Sequence, residues 1–222
     1  MIDRIVQSVN GVTLLGGGEV SPACVTESLT IAPFLAAADG GADRALALGH
    51  QPQAVIGDFD SLSPAALAAI PPERQFRIEE QETTDFEKCL GLIRAPFILG
   101  LGFTGPRLDH ALAVWNALVR RPQVHCLILG QRDLAFAAPP RLALPLAPGT
   151  RLSLFPMAPV RAEGSGLRWP VGGIGFAPDG RIGTSNEATG PVSLAFSGPG
   201  MLVILPRDCL GLAVAALTQG PR

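Results

Sequence analysis

From Val12 to about residue 129 the chain alternates short apolar runs with segments that carry helix-start signals, and nothing else restricts its fold as much. The apolar runs are Val12 to Leu15, Phe34 to Ala38, Ala54 to Gly57, Gln75 to Ile78, Phe97 to Leu101 and Val124 to Leu129. Each is short enough to be a buried strand, and all but the mixed run Gln75 to Ile78 are bounded on at least one side by Gly, Pro or Asp. Between them, Ser21-Pro22 and Ser63-Pro64 open helices, with Pro in a first turn where no backbone donor is lost. Ala42 to Leu48 reads as a helix stopped by Gly49, Thr83 or Thr84 can cap a helix through Phe86, Leu90 and Ile93, and another runs from about Leu108 to Val119. Strand and helix in strict alternation predict a parallel sheet with helices on both faces. Past residue 129 Pro becomes frequent, helix signals vanish, and β-like runs appear at Leu152 to Phe155, Val192 to Phe196 and Met201 to Leu205. The expectation is an α/β chain: an N-terminal doubly wound, mostly parallel sheet domain over residues 1–140, then a small C-terminal antiparallel β-sandwich domain over 141–222. The Pro-rich stretch from Ala137 to Pro148 supplies the boundary.

With 47% hydrophobic and 16% charged residues this is a folding sequence, and a net charge of -2 offers no basic field for nucleic acid. No apolar run is long enough to span a bilayer, and the N-terminus lacks a basic segment followed by an apolar core, so no membrane partner and a cytoplasmic location are expected. Cys24, Cys89, Cys126 and Cys209 form no CxxC pair and read as thiols rather than disulfides or a zinc site. The chain uses Arg for every positive charge but one, Lys88.

Acids recur at strand ends or in the loops after them: Asp39, then Asp58 and Asp60, then Asp85, then Asp109. In an open α/β sheet these ends share one crevice, where ligands bind. Asp58 and Asp60, two apart at the end of Val55-Ile56-Gly57, would point to one side of an extended backbone, and Gly57 would let a ligand approach. Hard oxygen ligands without a His or Cys cluster suit Mg²⁺, which completes its shell with water and phosphate, so a nucleoside triphosphate is a natural ligand. Lys88, one turn after Asp85, can meet phosphate as a point charge or form an i, i+3 surface ion pair. Arg107, Asp109 and His110 follow Gly102 and Gly105 and read either as a phosphate-facing loop or as a capped helix start. Gly16-Gly17-Gly18 suits a phosphate-proximal turn but is no dinucleotide fingerprint.

Taken together, Ala38-Asp39-Gly40-Gly41-Ala42, Gly57-Asp58-Phe59-Asp60-Ser61, Gln81 with Thr84-Asp85-Phe86-Glu87-Lys88, and Arg107-Leu108-Asp109-His110 resemble thiamine pyrophosphokinases. Gly166-Leu167-Arg168-Trp169-Pro170 and Thr184-Ser185-Asn186-Glu187 extend the resemblance through the β half. It implies transfer of the pyrophosphoryl group of ATP to the hydroxyl of thiamine, giving thiamine diphosphate and AMP, in a homodimer with thiamine bound where subunits meet. It implies Asp58, Asp60 and Asp85 as Mg²⁺ and phosphate-site acids, with Arg107 and Asp109 beside them in catalysis. Asp39, Gly40, Gln81, Thr84, Lys88 and His110 would lie on the ATP side, and Trp169, Ser185 and Asn186 would contact thiamine. The chain departs from the family pattern at Asp43, usually Asn and expected to add charge near the nucleotide, at Pro106, often Gly, and at Val114, usually Asn. The competing readings are a diphosphokinase for another hydroxymethyl heterocycle, such as a pterin, and a non-catalytic nucleotide- or thiamine-binding module.

Overall fold

A computed structural model describes residues 5–219, which divide into two compact units on either side of the Ala117–Leu118 bond, with the division inside one helix. The architecture is mixed α/β.

In the first unit β1 (Val12–Leu15) pairs in parallel with β5 (Ile98–Leu101), and β2 (Phe34–Ala38) pairs in parallel with β3 (Ala54–Gly57), which pairs in parallel with β4 (Gln75–Arg77). A short parallel pair joins Val6–Gln7 to Ile93–Arg94. Strands β1, β3 and β5 are buried along their whole length, as expected of a parallel sheet covered on both faces. Helices α1 (Pro22–Ile31), α2 (Gly41–Ala47), α3 (Pro64–Ala69), α4 (Asp85–Leu92) and α5 (Leu108–Arg120) follow the strands in turn. Their start signals act as the sequence predicts. Ser21 Oγ accepts the Cys24 N–H at 3.2 Å, Ser63 Oγ that of Ala66 at 3.1 Å, and Thr84 Oγ1 that of Glu87 at 3.3 Å. Gly49 closes α2 in the left-handed region, φ 79°.

In the second unit every ladder is antiparallel. The strands are β6 (Cys126–Leu129), β7 (Asp133–Ala137), β8 (Arg141–Leu144), β9 (Arg151–Pro156), β10 (Val160–Leu167), β11 (Ile174–Phe176), β12 (Gly183–Phe196) and β13 (Met201–Pro206). β12 pairs with β8, β9 and β10; β9 continues to β13, β7 and β6.

β6 turns tightly into β7, pairing Leu127 with Phe136 and Leu129 with Leu134. One expectation changes. The sequence after residue 129 contains a helix, α6 (Leu210–Gln219), behind a 3₁₀ turn at Arg207–Cys209. Its Leu- and Ala-rich composition favours helix, and Leu210, Ala213 and Leu217 form its buried face.

No disulfide links the four cysteines. Among the described residues no helix is long and apolar enough to cross a membrane.

Candidate functional site

The loops after the C-terminal ends of β1, β2, β3 and β5, with the first turn of α4, surround a pocket of about 490 Å³ in the first unit. Its lining includes the Gly16 to Gly18 turn, Asp39, Gly40, Asp58, Asp60, Gln81, Thr84, Asp85, Lys88, Arg107 and His110. Most residues implied for the ATP and metal side are therefore brought together. Asp109 is not part of the lining; its carboxylate pairs with Arg107 at 2.8 Å, both side chains being well exposed. That pairing holds the Asp109 carboxyl below the ordinary range and raises Arg107.

The acidic end is built by packing. Carboxylate oxygens of Asp39, Asp58 and Asp60 lie within 4.8 Å of one another. Alternation along an extended strand is not what aligns them, because the strand ends at Gly57 and Phe59 is left-handed, φ 69°. Phe59 packs against the core cluster of Ala37, Ala42, Val55, Leu62, Ala66 and Ile70, which turns the aromatic inward between two acids that line the pocket. An aromatic at positive φ costs about 1–3 kcal/mol and persists only where its surroundings fix it. Asp39 is left-handed too, φ 41°, and the third non-glycine residue at positive φ among those described is Ser185. All three are at implied site segments, where stored strain commonly serves function.

Gly57 serves Asp39 rather than a ligand: a Cβ at Gly57 would sit 2.8 Å from the Asp39 Cβ. Likewise a Cβ at Gly41 would strike the Leu15 carbonyl, so α2 starts against β1 only because Gly41 has none.

Asp39 is buried, 3% exposed. Its Oδ2 accepts the Ser61 N–H at 3.0 Å, while Oδ1 is buried without a hydrogen-bond partner. Burial is the main reason its carboxyl is pushed up to about 6; the Ser61 amide opposes this, and the charges of Asp85 and Asp60 add to it. Asp58 is lowered, first by the Gln81 amide, which donates at 2.8 Å; burial opposes this, and the Asp60 N–H at 3.2 Å and the charge of Lys88 lower it further. Lys88 is only 6% exposed. Its ammonium donates to Asp85 Oδ1 at 3.0 Å and lies 3.8 Å from Asp58 Oδ2. Burial pulls its pKa down, but the hydrogen bond to Asp85 and the charges of Asp85, Asp58 and Glu80 together leave it raised. The surface ion-pair reading of Lys88 is thereby replaced: this is an interior cation at the pocket wall.

The residues fit a divalent cation. Three carboxylates converge, one with an unsatisfied buried oxygen and a proton affinity raised by burial and neighbouring acids, and all donors are hard oxygens suited to Mg²⁺. Asp85, expected among the metal acids, stands outside this convergent set, and Asp39 stands inside it.

Asp39→Asn is expected to stabilise the metal-free protein. A carboxyl raised in the folded state favours folding at low pH and loses that contribution as pH climbs from 3.8 through about 6. The variant should therefore be more stable than the parent at pH 7.5, by on the order of 1–3 kcal/mol, and lose the advantage near pH 4. Calorimetry at both pH values, with metal chelated, checks this.

Several lining residues were not legible from the sequence. Ser61 donates from Oγ to Asp60 at 2.8 Å and from its N–H to Asp39; its place directly after the acids is the one available signal. Thr83 and Phe103 also line the pocket, Phe103 against Phe86 with ring centroids 4.6 Å apart. Asp43 does not face this pocket. It accepts both the N–H (3.0 Å) and the hydroxyl of Ser63, fixing the start of α3. The charge expected near the nucleotide is thus spent as a capping brace, while Pro106 and Val114 do line the pocket.

In the second unit Trp169, Ser185 and Asn186 form one strip. The Trp169 side chain is 54% exposed, with the Arg168 guanidinium carbon 5.1 Å from its ring centroid. Asn186, 7% exposed, bonds the Trp169 backbone twice, accepting its N–H at 3.2 Å and donating to its carbonyl at 2.7 Å.

Comparison with known proteins agrees with this layout. Residues 25–128 match the catalytic domain of thiamin pyrophosphokinase. Thiamine pyrophosphokinase 1 of Oryza sativa subsp. japonica is 27% identical over 183 residues, 67% of this chain and 69% of that protein. The fold is that of the thiamin pyrophosphokinase from Candida albicans (TM-score 0.75, 17% identity, 90% of this chain and 92% of that one). It is equally that of the yeast enzyme (TM-score 0.74, 17% identity, 96% and 90%). Motifs, fold and sequence relatives agree: over residues 25–128 the chain is similar to the catalytic domain of thiamine pyrophosphokinases.

Proposed function

We propose that this protein is a thiamine diphosphokinase, moving the pyrophosphoryl group of ATP to the hydroxyl of thiamine with release of AMP. The observation that carries the reading is one pocket holding the Asp39, Asp58 and Asp60 convergence beside the buried Lys88 and the glycine turn of residues 16–18. Phosphoryl-type transfer asks a protein chiefly to position its reactants and to spread negative charge. The thiamine hydroxyl oxygen gives up its proton to water and forms a bond to the β-phosphorus, the bond from that phosphorus to the oxygen bridging it to the α-phosphate breaks, and AMP leaves. Asp39, Asp58 and Asp60 would hold Mg²⁺, which when bound would neutralise phosphate oxygens. Lys88, braced by Asp85, supplies a buried positive charge at the wall, and Arg107, paired with Asp109, an exposed one. Gln81 orients Asp58, and Thr84 starts α4 so that Asp85 and Lys88 share its pocket-facing side.

The first unit then reads as the doubly wound ATP- and metal-binding domain and the second as a β-sandwich that recognises thiamine. Trp169 offers an exposed aromatic face for a cationic heterocycle. A cytoplasmic homodimer completes the proposal. Exposed Leu108 (72%) and Leu112 (56%), one turn apart on α5, form an apolar face consistent with a subunit contact.

The test is AMP formation by purified protein with ATP and Mg²⁺, with and without thiamine. Thiamine-dependent AMP matched by thiamine diphosphate is expected; AMP that ignores thiamine, or none from folded protein, would overturn the reading. Trp169→Ala should raise the KM for thiamine about tenfold or more and leave that for ATP within twofold, the loss of one cation–π contact amounting to about 1–2 kcal/mol. Equal changes in both KM values would remove Trp169 from the thiamine side.

A further inference from the structure

The second unit contains two buried polar side chains among the described residues, Ser153 (4% exposed) and Asn186 (7%), and both are spent on the segments around Trp169 and Ser185. A buried polar group is costly unless hydrogen-bonded, so where its bonds go shows what it supports.

The β10–β12 ladder reaches its last pair at Leu167 and Ala188, after a register shift between Ser165 and Leu167 at left-handed Gly166. One further backbone bond follows, from the Arg168 N–H to the Glu187 carbonyl at 2.8 Å. The Asn186 side chain then takes over. Its amide accepts from the Trp169 N–H and donates to the Trp169 carbonyl, the two bonds that a neighbouring strand's peptide would make. Its oxygen also accepts the Glu187 N–H at 2.8 Å. Both lone pairs of Oδ1 are therefore used and one of two Nδ2 protons is committed, in a side chain almost closed to solvent.

Ser153 supports the other segment. β9 and β12 pair Leu152 with Asn186 but Leu154 with Gly183, so Thr184 and Ser185 bulge opposite Ser153. Ser153 Oγ accepts the Ser185 N–H at 3.0 Å, with Ser185 at φ 60°.

We infer that Asn186 is a positioning residue, not a thiamine contact: it serves the acceptor by clamping the Trp169 backbone, and Ser153 is a second strut that fixes the bulge at Ser185. This rests on the proposed role of Trp169.

A double-mutant cycle on the full-length chain separates the two layers. With the AMP assay, Asn186→Ala should raise the thiamine KM about tenfold with the ATP KM unchanged, and adding it to Trp169→Ala should cost nothing further. Multiplication of the two effects would overturn the inference and make Asn186 a direct contact. No effect of Trp169→Ala on the thiamine KM would instead refute the functional placement of the strip, and the inference with it. Asn186→Asp keeps size and acceptors but loses the bond to the Trp169 carbonyl, and Ser153→Ala is gentler still. Each should raise the thiamine KM several-fold and, with Trp115 replaced by Phe so that Trp169 alone emits, alter acrylamide quenching of its fluorescence. Unchanged quenching and KM in Asn186→Asp would also overturn the inference, and an unchanged KM in Ser153→Ala would remove Ser153 from it.

Discussion

Asp60→Ala is expected to lower thiamine-dependent AMP formation by about 10³-fold while shifting the unfolding free energy by less than about 0.5 kcal/mol. The two expectations have separate causes. Asp60 is exposed, and its carboxylate accepts from the Ser61 hydroxyl, so little of the fold depends on it. The loop around it is held by Phe59 in the core cluster and by Ser61 bonded to Asp39, neither of which the substitution removes. The loss falls on the convergence of Asp39, Asp58 and Asp60, which would drop to two carboxylates. Initial rates over a range of Mg²⁺ concentrations should show partial recovery at high metal, as expected for a weakened cation site. Undiminished turnover at limiting Mg²⁺ would remove Asp60 from it.

What the sequence revealed and what it hid follow from how far each feature depends on tertiary packing. The acids were legible because they terminate apolar runs, and the helix starts because Ser21, Ser63 and Thr84 cap locally. The reason the acids converge was not legible. Strand alternation was the available argument, yet the work is done by Phe59 turned into the core, a contact with residues on α2, β2, β3 and α3 that no spacing announces. Gly57 looked like a ligand approach and proves to be the space for Asp39, because a missing Cβ does not say which neighbour fills it. Asp43 looked like a charge near nucleotide and is a brace for Ser63, twenty residues away in the chain. β6 reads as one more buried strand from its composition. The tight turn into β7, which gives it an antiparallel partner, is not announced by that composition.

Lys88→Met is expected to reduce turnover by about 10²–10³-fold with a stability change no larger than about 1 kcal/mol, which separates the charge of Lys88 from its packing. Removing one partner of a deeply buried ion pair commonly costs about 3–5 kcal/mol, because the other is left charged and unsolvated. Here the acids are the accessible partners: the Asp85 side chain is 29% exposed and that of Asp58 14%, against 3% for Lys88. Water in the pocket can solvate the released carboxylates, while Met fills the space of the lysine stem without a desolvated ammonium. Lys88→Arg should be no rescue, because a planar guanidinium does not occupy the volume or geometry of a compact ammonium at so closed a position. The pH profile adds an independent reading. Lys88 is raised above 10.5, so any stability it contributes is complete below that value and declines only as pH rises through the higher folded value. Activity should therefore show no loss attributable to Lys88 between about pH 6 and 9, and the parent and Lys88→Met profiles should run parallel there. Full turnover in Lys88→Met would return the lysine to a structural role. A variant that is inactive but as stable as the parent would assign its charge to the transferring phosphates.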